Sequence, residues 1–384
     1  MKYTGKLVTI FIPSFGDGGA EHMLINLSRG FAQKGLKVDF LIGTTKGPYI
    51  SNLPSSVRVL ELGNTNPDGI VGALVCYLKE NRPEVLLCTK RGDREALLAR
   101  DLAGVSTRIA LRTGTTVTQR DKSKSFFKKW QTRRKMREAY SKADIVVAVS
   151  NGVAEDLTFI TRLPPDKISV IPNPVVTPEL VDLSRAPLDH PWFRQDSPPV
   201  ILGAGGLRRA KDFPTLIEAF AKVRRHRPSR LMILGEGRQR DRLEKLAEKL
   251  GVREDFMLPG FVENPYAFMA RAGLFVLSSL WEGSPNVLTE ALAVGTPVVS
   301  TDCRSGPKEI LQNGRFGPLV PVGKVDAMAK AMLETLRNPL DSRTLRSATS
   351  AYTLEKSAEQ YISILGLRED TNNTDDNANE TLSD

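Results

Sequence analysis

Glu282 and Glu290 flank the start of an expected helix in residues 280–300, LWEGSPNVLTEALAVGTPVVS. The run 274–279 is apolar and short enough for a buried strand, and 297–300 opens the next one. One helix must lie between them. Ser284 is the expected N-cap, with Pro285 at the first helical position, where its missing N–H costs nothing. Gly295 and Pro297 supply the stop. The N–H groups of Asn286 and Val287 then have no helical partner and face the crevice beyond the strand ends, a seat for phosphate or sugar oxygens. Glu282 falls in the loop and Glu290 inside the helix, so the carboxylates stand apart along one wall. That separation suits two ends of one polyhydroxyl ligand, not a touching acid and base. Without a ligand, both are solvated glutamates at a helix start, where negative charge is favourable anyway.

A second basic and glycine-rich cluster, Gly203-Ala-Gly205-Gly206-Leu207-Arg208-Arg209-Ala210-Lys211, begins at the end of an apolar run, 200–204. A dinucleotide fingerprint G-x-G-x-x-G would need glycine where Arg208 stands, which argues against a dehydrogenase.

The elements that must hold these groups alternate along the chain. Strands are expected at 6–12, 38–42, 57–60, 85–88, 109–111 and 145–149 with helical stretches between, the pattern of a parallel sheet. A second unit of the same kind starts at 200. After the first strand, Gly18 and Gly19 permit unusual backbone angles and close approach to a ligand, and Glu21 follows as a favourable first-turn charge. Prolines crowd at 172, 174, 178, 187, 191, 198 and 199, where periodicity fades and a hinge is expected. The expected division is an N-terminal domain at 1–178, a Pro-rich linker at 179–199 and a C-terminal domain at 200–350. A closing helix follows at 351–367, then an acidic tail without a core face at 368–384, hence disordered.

The 384 residues are 41% apolar and 26% charged, enough for two cores. No run has the length of a membrane span, and the first apolar stretch is too short for a signal-peptide core, so a cytoplasmic location is expected. Cys76, Cys88 and Cys303, like His22, His190 and His226, lack ligand spacing, and buried thiols and surface imidazoles are the expectation. The formal charge of +10 calls for an anionic partner. Residues 119–137 hold nine basic side chains, from Arg120 to Arg137, against one acid, with Phe126, Phe127 and Trp130 close together. Such a segment fits an anionic bilayer, a merely solvated helix or nucleic acid; no nucleic-acid module accompanies it.

Glu282-Gly-Ser-Pro-Asn-Val-Leu-Thr-Glu290, followed by Ala-Leu-Ala-Val-Gly-Thr-Pro-Val-Val, resembles the E-x7-E signature of the retaining nucleotide-sugar glycosyltransferases of family 4 (group 1). The resemblance spans about residues 5 to 366. It implies an α/β chain of GT-B fold, two doubly wound Rossmann-like domains facing each other across a cleft, with the last helix crossing back to the first domain. It also implies that Glu282 contacts the donor sugar and Glu290 the ribose hydroxyls, with Ser284, Asn286 and Val287 on the donor side. The segment 205–211 is similar to the family's G-R-L-x-x-x-K, whose arginine and lysine clamp the diphosphate. Lys211 matches the lysine. Gly206 stands where arginine is usual, and Arg208 is the nearest replacement. Gly18 and Gly19 would lie under the donor phosphates, with Glu21 next to the acceptor, and Phe261 and Val262 would border the base. Relatives place a histidine after the strand at 109–111; here Arg112 stands there, as a substitute or in a structural ion pair.

The implied reaction is sugar transfer, a UDP-sugar being favoured, to a glycan acceptor linked to lipid, in polysaccharide or lipopolysaccharide synthesis on the inner membrane face. The departing phosphate oxygen would take the acceptor proton, and no metal or other cofactor is required. Two alternatives stand beside it: a nucleotide-sugar epimerase or phosphorylase of the same fold, and a non-catalytic basic scaffold or nucleic-acid binder.

Overall fold

The computed structural model describes residues 5–16, 18–43, 50, 53–63, 66–89 and 92–368. The N-terminal unit is built on β1 (Leu7–Ile12), β2 (Lys37–Ile42), β3 (Val57–Glu61), β4 (Val85–Thr89), β5 (Arg108–Thr113), β6 (Ile145–Ala148) and β7 (Ile168–Val170). The C-terminal unit is built on β8 (Val200–Ala204), β9 (Arg230–Leu234), β10 (Phe256–Gly260), β11 (Leu274–Leu277), β12 (Val298–Thr301) and β13 (Leu319–Val320). Most of these runs are apolar and β-branched because helices cover both sheet faces, which leaves no solvent side to demand alternation.

The sheets run β3-β2-β1-β4-β5-β6-β7 and β10-β9-β8-β11-β12-β13, with parallel pairing throughout. Chain order reverses next to β1 in one and next to β8 in the other. Those switch points open crevices at the carboxyl ends of the strands, where α/β proteins bind ligands. The two crevices face each other, and this is the GT-B architecture. β13, of two residues, is too short to announce itself in the sequence.

The helix Leu354–Ile364 belongs to the first unit's core. Ala358, Tyr361 and Ile362 join the cluster containing Met23, Phe31 and Phe40. Gly30 makes room for it, since a Cβ there would stand 2.9 Å from both Ala358 Cβ and Leu354 Cδ1.

The proline-rich segment differs from the expected linker. Thr177 caps a helix, Pro178–Arg185, its hydroxyl accepting from Leu180 N–H at 3.1 Å with Pro178 at the first helical position. Leu180, Trp192 and Phe193 then pack into the C-terminal core. The two chain crossings run side by side just before this helix: Val175 and Val176 N–H donate to Tyr352 O at 2.9 and 3.0 Å, and Leu354 N–H to Val176 O at 3.0 Å. The acidic tail called at 368–384 lies, from 369 on, outside the described residues.

Cys88 and Cys303 are buried, but Cys76 is exposed. Of the histidines His226 is exposed as expected, whereas His22 is half-buried, with burial pushing its pKa down to about 4, and His190 is half-buried and packs edge-on among Trp192, Phe193 and Phe268.

Candidate active site

The C-terminal wall is assembled from the loops after β8, β9 and β11. Lys211 ends a 3-10 turn, Arg209–Lys211, that is strapped to the loop after β11: Ser278 Oγ donates to Lys211 O at 2.7 Å and Leu280 N–H to Ala210 O at 2.8 Å. Gly205, at φ +141°, lies under the lysine stem, a Cβ there being 3.0 Å from Lys211 Cε. The result is that Lys211 Nζ meets Glu282 Oε1 at 2.6 Å, and Ser279 Oγ donates to the same oxygen at 2.7 Å. Both partners keep partial access to solvent, at 22% and 14%. Glu290 lies behind them. It is 7% exposed, and burial raises its pKa to about 7 against the opposing pull of the Lys211 charge. One cation thus acts on two carboxylates of unlike setting, one paired with it directly, the other buried and feeling its charge.

Helix Asn286–Ala293 carries Glu290, and its N-cap is Pro285, not Ser284. A proline ring offers no oxygen to cap with, so the helix begins bare. Its first main-chain bonds come from Leu288 and Thr289 to Pro285 O, which leaves Asn286 and Val287 N–H ahead of the ladder. Arg208 folds back over Gly206, its Nε 3.2 Å from where a Cβ on Gly206 would stand. The arginine side chain therefore fills the space a residue at 206 would enter. The loops after β9 and β10 close the wall: Leu207 N–H donates to Glu236 O at 2.8 Å and Gly235 N–H to Gly260 O at 2.8 Å. Phe261 stands beyond Gly260 with 44% of its surface exposed, and Val262 packs half-buried against the core.

On the N-terminal wall Gly18 has φ −92°, and neither Gly18 nor Gly19 adopts a left-handed conformation. Of the two expected roles, unusual angles and close approach, it is closeness that their smallness serves here, toward protein side chains. A Cβ on Gly18 would stand 2.9 Å from Glu21 Oε2, and one on Gly19 3.4 Å from Asn286 Nδ2. Glu21 is buried and turns back on its own loop, Oε1 accepting from Gly16 N–H at 3.0 Å. Arg112 is only 3% exposed. Its Nη2 donates to Asn173 Oδ1 at 2.6 Å and its guanidinium interacts electrostatically with the Tyr361 hydroxyl, while Nε and Nη1 have no hydrogen-bond partner. Among the described residues both partners are neutral, so the structural ion pair expected of Arg112 is not formed. Burial lowers its pKa.

Sequence reasoning missed the residues that bridge the walls. Asn173 Nδ2 donates to Asn286 Oδ1 at 2.7 Å, and Asn286 Nδ2 to Gly19 O at 2.9 Å, a relay from Arg112 across the cleft to the first glycine loop. Asn173 sits between Pro172 and Pro174, a rigid frame that was the available signal. Glu309 lies in a short helix, Pro307–Ile310, and caps the N-terminus of helix Asn151–Thr161: its carboxylate accepts from Asn151 N–H at 2.9 Å and Gly152 N–H at 3.1 Å. Among the described residues no cluster of three or more His, Cys, Asp or Glu could hold a metal ion.

Residues 17–178 match the family described as Glycosyltransferase Family 4, and residues 186–353 match Glycosyl transferases group 1. The N-acetylgalactosamine-N,N'-diacetylbacillosaminyl-diphospho-undecaprenol 4-alpha-N-acetylgalactosaminyltransferase of Campylobacter jejuni is 30% identical over 354 residues, covering 88% of this chain and 91% of that protein. The chain belongs to the group 1 glycosyltransferases. The lipopolysaccharide core biosynthesis glycosyltransferase LpsE of Rhizobium meliloti is 28% identical to this glycosyltransferase, over 92% of one chain and 97% of the other. Among solved structures, that of Anabaena HepE in complex with UDP and glucose superposes with a TM-score of 0.75 at 18% identity, covering 94% of this chain and all of that one. In this glycosyltransferase, Arg208, Lys211 and Glu282 come from the loops after two neighbouring strands, β8 and β11, and Glu290 from the helix that follows β11.

The stretch 119–137 is not one helix. Val117–Arg120 and Phe126–Ser141 are separate, and between them the buried Asp121 pairs with Arg120 at 2.8 Å and Lys124 at 3.0 Å. Those two cations hold the bend, and the free basic face starts beyond them. On it Phe126, Phe127 and Trp130 are 85%, 67% and 47% exposed, joined by Phe159 of the neighbouring helix under Arg133. Among the described residues no helix is long and apolar enough to cross a membrane.

Proposed function

We propose that this glycosyltransferase moves a sugar from a UDP-sugar to a lipid-linked glycan acceptor, with retention of configuration and without a metal, in the synthesis of lipopolysaccharide or another cell-surface polysaccharide. The observation that carries the proposal is Lys211 paired with Glu282, its charge also felt by the buried Glu290, at the β8/β11 switch point. An ammonium has three N–H donors. One stays on Glu282 while another meets the diphosphate, so the sugar-side acid and the phosphate-side cation are aligned by one bond. As the glycosidic bond breaks, charge grows on the departing diphosphate. Lys211, Arg208 and the N–H groups of Asn286 and Val287 are fixed where they stabilise it. Glu282 orients the sugar hydroxyls, and Glu290 accepts from the ribose hydroxyls. The departing phosphate oxygen takes the acceptor proton, which supports a reaction without a strong base.

The donor choice is supported by the HepE complex, which holds UDP and glucose. The acceptor choice is supported by the Campylobacter relative, whose name specifies a diphospho-undecaprenol carrier. The exposed aromatics beside the basic face of helix Phe126–Ser141 support docking on the inner face of an anionic membrane, aromatics entering the interface and cations meeting phosphates.

The test combines a thermal-shift screen of UDP-, GDP- and ADP-sugars with transfer to lipid-linked acceptors, the product anomer read by NMR with and without EDTA. Retention and undiminished rate in EDTA are expected. Inversion, a metal requirement, or donor turnover at the same rate without acceptor would each defeat the proposal.

A further inference from the structure

The loop that carries Glu282 is held at its side chain by its own domain and at its main chain by the other one. Thr115 and Gly283 form an antiparallel bridge across the cleft. Thr116 Oγ1, with no solvent exposure, donates to Glu282 O at 3.1 Å. The Gly283 carbonyl is reached by Ser150 Oγ at 2.8 Å from the N-terminal domain and by Ser305 Oγ at 2.9 Å from its own, the two hydroxyls being 2.8 Å apart. All three side chains are buried. The hydroxyls of Thr116 and Ser150 are therefore buried at the seam with carbonyls of the opposite domain as their acceptors, while Ser305 serves the Gly283 carbonyl from its own side.

Two glycines let the backbones come this close. A Cβ on Gly283 would stand 2.7 Å from Gly114 C and 2.9 Å from Thr115 Cα, main-chain atoms of the opposite domain. Gly283 is not in a left-handed conformation, so alanine strains nothing locally. Its methyl group is a wedge between the domains alone. Gly152 repeats the device from the other side, a Cβ there lying 2.9 Å from Ser305 Cβ and 3.1 Å from Arg304 O, next to the Glu309 carboxylate that caps its helix.

We infer that Glu282 is brought to its working geometry by the N-terminal domain, with Thr116 and Ser150 as positioning residues acting through the main chain of Glu282 and Gly283, and Gly283 as the residue that permits closure. The inference rests on Glu282 being the sugar-side acid. Donor binding belongs to the C-terminal wall and survives an open seam. Transfer requires the closed one. The arrangement ties the reactive geometry of the donor site to the domain that presents the acceptor.

The experiment measures UDP affinity by calorimetry, transfer kinetics with the preferred UDP-sugar, and the inter-domain distance between spin labels on exposed positions of the two domains. Gly283→Ala is expected to bind UDP within about twofold of wild type while kcat falls at least about a hundredfold and the labels move apart. Thr116→Val, which keeps the shape and loses the hydroxyl, is expected to lower kcat about tenfold with little change in donor KM, and Thr116→Ser to restore it. Wild-type turnover in Gly283→Ala with unchanged label distance overturns the inference, and so does loss of UDP binding in that variant. Glu282→Gln separates the two claims. If it transfers at the wild-type rate while Gly283→Ala does not, the sugar-side role of Glu282 fails and the closure contact stands.

Discussion

Glu290 makes donor binding depend on pH in a direction that geometry fixes. Its carboxyl is buried, and burial raises its pKa from 4.5 to about 7, the Lys211 charge pulling the other way. A ribose diol donates hydrogen bonds, so it binds the ionised form. At pH 8 about nine-tenths of the empty protein presents that form, and at pH 6 about one-tenth. Affinity for a UDP-sugar should therefore fall about tenfold from pH 8 to pH 6, or about 1.4 kcal/mol. A UDP-sugar is the right probe because its diphosphate is esterified at both ends and carries no proton that titrates in this window. Stability runs the opposite way. A carboxyl whose folded pKa is raised favours the folded state below 4.5, and that contribution is lost as pH climbs through 7, at most about 3 kcal/mol for this shift. The empty protein should melt higher at pH 6 than at pH 8, and Glu290→Gln should flatten both the affinity and the melting profiles. Calorimetry in buffers of different ionisation heat would count the released proton directly. A UDP-sugar affinity constant across pH 6 to 8 in the wild type, or a slope that survives Glu290→Gln, would refute the assignment.

Three further outcomes are expected. Lys211→Ala should raise the barrier to transfer by about 2 to 4 kcal/mol, the loss of one preorganised charge at the departing diphosphate, read as a drop in kcat with the melting temperature nearly kept; wild-type rates would exclude it from the chemistry. Replacing Phe126, Phe127 and Trp130 together by serine should release the protein from sedimenting anionic vesicles without changing transfer to a water-soluble acceptor, since all three are exposed. Tyr361→Ala should destabilise the N-terminal domain by about 3 to 5 kcal/mol in denaturant titration, because the ring is 1% exposed in the core that the last helix shares with Phe31.

What could be read from residue order was whatever depends on local periodicity. Strand runs such as 200–204 and 85–88 came through because a doubly covered strand must be apolar along its whole length, and the helix carrying Glu290 because Gly295 and Pro297 close it. The cap at its start did not. Ser284 followed by Pro285 looks like a cap and first position, yet the chain spends the serine on the seam, its carbonyl 3.5 Å from Asn173 Nδ2, and enters the helix one residue later. Contacts between domains are where local rules fall silent. Thr116, Ser150, Asn173 and Glu309 lie in segments whose composition is generic, and their partners stand more than 100 residues away along the chain. Glycines carried the information in encoded form. Gly18 and Gly19 suggested unusual backbone angles and close approach of the main chain; the structure leaves φ ordinary and uses the missing side chain for closeness, to Glu21 and Asn286. A glycine that is small for the sake of another domain cannot be told, in one sequence, from one that is flexible for the sake of its own turn. That ambiguity hid Gly283, although it sits inside the most legible motif of the chain, next to the acid whose placement it permits.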